Sequence, residues 1–251
     1  MKRIFSSPIT ALLAGAFLRL LFVLKYPAGS GDTVIYQQLA ANWLKHGRYA
    51  MEISGQAVPV DLRMPGYPAF LAMVYALTGR TGERARIFVM LAQVFVDLAT
   101  CLVIGGLAAL LVTLCDARAN TKRVFLAALW LAAVCPFTAN YVAVPLTEVW
   151  SMFFTALTFV ILVLVATLGR DAGREVFQSG GSAGKGFWSL VALTGLVVGV
   201  GTLFRPEAPL LLATSLALLG YWMLRRGEWK RWLLTCALMS CTCAVPLAPW
   251  T

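Results

Sequence analysis

Residues 25–70 read KYPAGSGDTVIYQQLAANWLKHGRYAMEISGQAVPVDLRMPGYPAF, a charged stretch punctuated by glycine and proline. It belongs to a longer segment, residues 26–86, that separates the first two apolar runs of the chain. After Arg86 the sequence is almost entirely apolar, broken by short basic connections. Connections between helices are usually a few residues long. A segment of this size and polarity therefore has a purpose beyond joining two helices, and the rest of the chain is read around it.

The composition places the surrounding sequence in a membrane. Hydrophobic residues make up 60% of the 251 and charged residues only 13%, about half the share of a soluble domain. Mean hydropathy is +0.78. Runs of about 20 apolar residues are the units that cross a bilayer, and they do so as helices because lipid cannot satisfy backbone polar groups. About seven such runs are read, at residues 9–24, 87–114, 124–141, 149–168, 187–204, 208–224 and 232–250. The expected fold is thus an all-α polytopic membrane protein with about seven transmembrane helices and a long first extracytoplasmic loop. The first run follows Lys2 and Arg3, as a signal peptide would. Arg19 within it and the lack of a small-x-small cleavage site favour an uncleaved anchor.

The net charge of +10 follows topology rather than a nucleic-acid partner, and none is expected. One set of alternate short connections holds Lys2, Arg3, Arg118, Lys122, Arg123, Arg170, Arg174, Lys185, Arg225, Arg226, Lys230 and Arg231. The opposite set, residues 142–148 and 205–207, holds only Arg205. By the positive-inside rule the N-terminus is cytoplasmic and the 26–86 loop faces outward. The expectation is a multi-pass cytoplasmic (inner) membrane protein with its site on the periplasmic or external face.

All six cysteines lie in or at the ends of apolar runs, so no disulfide framework is implied. The lone histidine, His46, excludes a site needing two imidazoles. Residues 33–45 read as an interfacial helix ended by Gly47-Arg48-Tyr49, residues 50–62 as an extended or hairpin stretch, and residues 69–77 as a helix too short to span. Residues 78–86 read as a polar turn and residues 173–186 as a flexible linker. The chain ends at Thr251 straight after an apolar run, which is read as a truncation. One transmembrane domain over residues 1–251, with the 26–86 loop inside it, is expected.

The outward connections hold the residues able to carry chemistry. Asp32 follows two glycines and precedes a helix carrying Tyr36 one turn on; it reads either as a helix N-cap or as a functional acid reached closely by a ligand. Arg63 precedes the Pro65-Gly66-Tyr67-Pro68 turn and is either a phosphate ligand or a headgroup contact. Glu148 is either a helix-dipole acid or part of the site. Arg205 and Glu207 either pair as an interface anchor or belong to the site. Arg19 and Asp97, inside apolar runs, are read as structural, with Arg19 snorkelling toward the interface and Asp97 facing other helices. Two carboxylates and two arginines at one membrane face suit transfer chemistry on a phosphorylated lipid: the acid takes a proton and the cations hold a leaving phosphate.

The run GSGD-x-x-x-Y, the helix ending in Gly47-Arg48-Tyr49, then R-x-P-G-Y-P-x-F-L, P-L-T-E, R-P-E-A and a final P-W resemble the GT-C membrane glycosyltransferases. The likeness is to the bacterial branch related to protein O-mannosyltransferases and to lipid A aminoarabinose transferases. It implies transfer of a sugar from a polyprenyl-phosphate donor to an acceptor hydroxyl outside the membrane, with inversion. It also maps the essential acid to Asp32 and a second acid to Glu148. Arg63 and Arg205 then stand where phosphate-contacting cations are expected, with Tyr36, Tyr67 and Glu207 as further substrate-binding residues. No cofactor is fixed by this reading, a divalent metal near Glu148 being one option, and no metal ligands are assigned. The chain is shorter than such enzymes. A transporter or flippase for a lipid-linked sugar is the alternative; it is disfavoured by the lack of an evident repeat.

Overall fold

The computed structural model describes residues 7–54, 56–60, 63–116, 118–171 and 182–250. The chain forms an all-α membrane protein with one small hairpin. Among the described residues four helices are long and apolar enough to cross a bilayer: Pro8–Lys25, Arg86–Cys115, Glu148–Gly169 and Gly184–Phe204. Gly66–Thr78 and Pro209–Leu224 are apolar but shorter. Large hydrophobic side chains such as Phe17, Phe95, Leu193 and Leu210 stand exposed on these helices, the surface that acyl chains cover in a membrane.

The chain divides into two compact units, Met1–Phe153 and Phe154–Thr251. The first holds α1 (Pro8–Lys25), α2 (Gly31–His46), strands β1 (Ala50–Ile53) and β2 (Gln56–Pro59), α3 (Gly66–Thr78), α4 (Arg86–Cys115), α5 (Thr121–Ala133) and α6 (Pro136–Tyr141). It ends in the first residues of α7 (Glu148–Asp171). The second continues α7 and adds α8 (Ser182–Phe204), α9 (Pro209–Leu224) and α10 (Trp229–Ala244).

Within the first unit α1, α4 and α5 pack together, and their common core contains charge. Arg19 is fully buried rather than snorkelling. Its guanidinium pairs with Asp97 at 2.5 Å and donates from Nη1 to the carbonyls of Gly15 (3.0 Å) and Ala133 (2.6 Å). The Ala133 carbonyl is open because the expected span 124–141 is not one helix. Pro136 has no N–H and its ring opposes helix continuation, so α5 stops at Ala133 and α6 starts with Pro136 in its first turn. Arg19 thus satisfies both the buried carboxylate of Asp97, which faces the other helices as expected, and a carbonyl freed by the break.

The long first connection is structured throughout its described length. α2 begins two residues earlier than the sequence pattern implies, and its N-cap is Ser30 rather than Asp32. The Ser30 hydroxyl accepts from the Thr33 N–H while the Thr33 hydroxyl accepts from the Ser30 N–H, a reciprocal capping box. α2 and α3 both end on glycines in the left-handed region, Gly47 (φ 65°) and Gly79 (φ 63°), where an L side chain is strained. Between them β1 and β2 pair antiparallel, with Ala50 opposite Pro59 and Ile53 opposite Gln56. The expected hairpin is present; residues 61 and 62 of that stretch lie outside the described residues. The polar turn at 78–86 holds a short 3-10 helix, Gly82–Arg84.

In the second unit α8 packs closely on α10. Gly195 and Gly199 lie against the backbone carbonyls of Met239 and Cys243, so a Cβ at either position has no room. Small residues four apart that let two backbones approach are a membrane packing device. Phe187, Val191, Val197, Leu219, Met223 and Met239 form the adjoining core. The last expected span, 232–250, is a 16-residue helix followed by turns and a 3-10 helix at Ala248–Trp250. Pro246 and Pro249 interrupt the α pattern there. The expected linker 173–186 is helical from Ser182 onward; its residues 173–181 lie outside the described residues.

Candidate functional site

The segment between α6 and α7, residues 142–147, carries no regular helix, and its carbonyls are taken up by side chains of other elements. Gln93 on α4 donates its amide to the carbonyls of Val142 (3.2 Å) and Val144 (2.9 Å). The same amide oxygen accepts from the Tyr67 hydroxyl at 2.6 Å. Thr33 on α2 donates to the Pro145 carbonyl at 3.2 Å, and the Ala28 N–H donates to Ala143 at 3.0 Å. Elements from both sides of the long connection therefore fix the approach to Thr147 and Glu148. Gln93 and Tyr67 are both fully buried, so this network is expensive to leave half made.

Tyr36 sits at the centre of the result. It is 7% exposed, and its ring meets that of Tyr67 edge-on with centroids 5.0 Å apart. Its hydroxyl shares a hydrogen bond with the Thr147 side chain and feels the charges of Arg63, Asp32 and Glu148. Burial, against the opposing pull of Arg63, holds that phenol above the usual tyrosine range. Glu148 is also near enough to Tyr67 to act on it electrostatically. The sequence-predicted residues Asp32, Tyr36, Arg63, Tyr67 and Glu148 are thus gathered in one neighbourhood of the first unit.

At its edge Asp32 and Arg63 form an ion pair, Nη2 to Oδ1 2.6 Å, with 47% and 31% of their side chains exposed. Asp32 lies in the first turn of α2, where the helix N-terminus favours negative charge. The carboxylate hydrogen bond is the main reason Arg63 is held above its ordinary value. Arg63 is positioned through its backbone as well: the Tyr49 hydroxyl donates to its carbonyl at 2.7 Å. Tyr49 in turn packs edge-on against Trp43 with centroids 5.5 Å apart, and burial raises its phenol. Asn42 on α2 donates to the Ala50 carbonyl at 2.9 Å and ties the hairpin to the helix. A half-exposed pair of this kind contributes roughly 0–1 kcal/mol, so an incoming anion can compete for the arginine.

Arg205 and Glu207 belong to the second unit, where Arg205 Nε stands 3.4 Å from Glu207 in the α8–α9 turn. The two side chains pair with each other, as one of the readings of this stretch expected. Among the described residues no three His, Cys, Asp or Glu side chains cluster to hold a metal.

Sequence reasoning missed Gln93, Thr147 and Tyr49 as parts of this arrangement. A lone amide in the apolar run of α4 was the available signal for Gln93, since an uncompensated polar side chain there is costly. No family model, curated protein or solved structure matches the chain.

Proposed function

We propose that the chain transfers a sugar from a polyprenyl-phosphate donor to an acceptor hydroxyl at the extracytoplasmic membrane face, with inversion. The observation that supports this reading best is the half-exposed Asp32–Arg63 pair at the first turn of α2, backed by buried tyrosines and Glu148. In the proposed step the donor phosphate draws Arg63 away from Asp32, because a fork of donors fits phosphate as well as carboxylate. The freed carboxylate then accepts the proton of the acceptor hydroxyl. The acceptor oxygen forms a bond to the anomeric carbon from the face opposite the phosphate, and the bond from that carbon to the phosphate oxygen breaks. The phosphate leaves on the lipid with one further negative charge, which Arg63 offsets. Tyr36 and Tyr67 wall the site with neutral phenols, and Glu148 orients the acceptor. Arg205 and Glu207 are proposed as further donor contacts.

The transport reading has one observation in its favour: the buried Arg19–Asp97 pair beside the α5–α6 break. Intramembrane charges and broken helices are features of transporters. One experiment separates the two. The full chain is reconstituted in vesicles with polyprenyl-phosphate sugar, labelled in the sugar, confined to one leaflet. Label on a water-soluble or lipid acceptor supports transfer. Label moved to the opposite leaflet still joined to its polyprenyl carrier supports transport instead.

A further inference from the structure

We infer that the α9–α10 turn and the outer face of α10 form a binding site for an anionic phospholipid. The turn and the first residues of α10 carry four cations, Arg225, Arg226, Lys230 and Arg231, against the single carboxylate of Glu228. Three of these cations lie over rings at the adjoining helix ends: Arg225 over Tyr221 at 4.8 Å, Arg226 over Trp222 at 4.3 Å and Lys230 over Trp229 at 5.6 Å. Tyrosine and tryptophan are the side chains of the membrane–water boundary, and their rings hold the cations at that level. Arg225, Arg226 and Lys230 are exposed.

Arg231 adds to the positive charge of this end from within the unit. It is 4% exposed, stacks over Phe187 at 4.1 Å and gives only Nη1 to Glu228, at 2.9 Å. Its Nε and Nη2 are buried without an acceptor among the described residues. Buried guanidinium donors without partners are costly, so this arginine adds an uncompensated positive charge beneath its three exposed neighbours.

The tail of such a lipid has a place in line with the cations. Leu234, Ala237, Leu238 and Cys241 of α10, with Trp188 of α8, line an apolar groove of about 420 Å³. Lys230 precedes Leu234 by four residues and so stands over the groove's end on the same helical stripe. The run from Leu234 to Cys241 extends about 10 Å at 1.5 Å per residue, the length of the upper part of an acyl chain. A headgroup phosphate at Lys230 and Arg226 and a tail along the stripe use both features at once, which a free phosphate or an uncharged lipid does not.

The test is thermal unfolding of the full chain in detergent, titrated with dioleoylphosphatidylglycerol, dioleoylphosphatidylcholine or inorganic phosphate. The expected result is saturable stabilisation by phosphatidylglycerol, at least about tenfold weaker for phosphatidylcholine, and none for inorganic phosphate. The double variant Arg226→Gln/Lys230→Gln changes only exposed side chains and weakens the phosphatidylglycerol response by about tenfold or more. Ala237→Trp, which fills the groove and leaves the cations in place, abolishes it. Each variant is referred to its own lipid-free midpoint. Equal responses to the two lipids, a matching response to inorganic phosphate, or an undiminished phosphatidylglycerol response in both variants would overturn the inference.

Discussion

Asp32 shows how one residue type can carry two local explanations. An acid between glycines ahead of a helix reads as a cap, yet Ser30 takes that role with Thr33, and Asp32 is left with its carboxylate turned to Arg63. Sequence distance hid this pairing, because Arg63 lies 31 residues away across a hairpin. The resemblance alone marked Tyr36 and Tyr67 as substrate-binding residues; that their rings meet depends on how α2 and α3 fold back. Burial raises the phenols of Tyr36 and Tyr49, and the sign of the stability effect follows. Below the ordinary tyrosine value of 10.0 both folded and unfolded phenols stay protonated. Above it the unfolded chain loses protons first, so folding weakens as pH rises toward the folded values. Unfolding midpoints measured from pH 8 to 11 are expected to fall above about pH 10, and Tyr36→Phe should remove part of that fall. An equal fall in the variant would contradict the assignment to Tyr36.

Among the elements, the long apolar helices α1, α4 and α7 were readable from hydropathy to within a few residues, because a bilayer demands one continuous signal. The break between α5 and α6 was not read, although Pro136 stood in plain view. Hydropathy averages over a window and ignores a missing N–H. The close approach of α8 and α10 is likewise a matter of glycine spacing rather than mean hydropathy. It predicts a contrast between two glycines. Gly199→Leu forces a side chain onto the Cys243 carbonyl and is expected to destabilise by roughly 1–3 kcal/mol or more. Gly106→Ala, with nothing within 4 Å of the added carbon, is expected to stabilise slightly through the helix propensity of alanine. Denaturation of the two variants side by side checks the contrast; equal effects would contradict the packing account.

Across the whole molecule, membrane character was fixed by composition, whereas the site depends on three separated stretches of the first unit brought together around residues 142–147. The P-L-T-E motif marked one of these stretches, but only Gln93 explains how it is held. The buried Arg19–Asp97 pair joins α1 to α4, and through the Ala133 carbonyl to the end of α5. Asp97→Leu leaves a buried guanidinium uncompensated and is expected to cost about 3–5 kcal/mol, while Arg19→Met/Asp97→Leu recovers much of that loss. Unfolding measurements on both variants test this. A double variant that folds but loses sugar transfer would give the pair a role beyond structure.

Asp32 is the group proposed to take the acceptor's proton. The direct measurement is sugar release from a labelled polyprenyl-phosphate donor by the full chain and by Asp32→Asn, with folding of the variant checked by its unfolding midpoint. Loss of transfer by about 10²–10⁴-fold in a folded variant is the predicted result; transfer at the unmodified rate would contradict it.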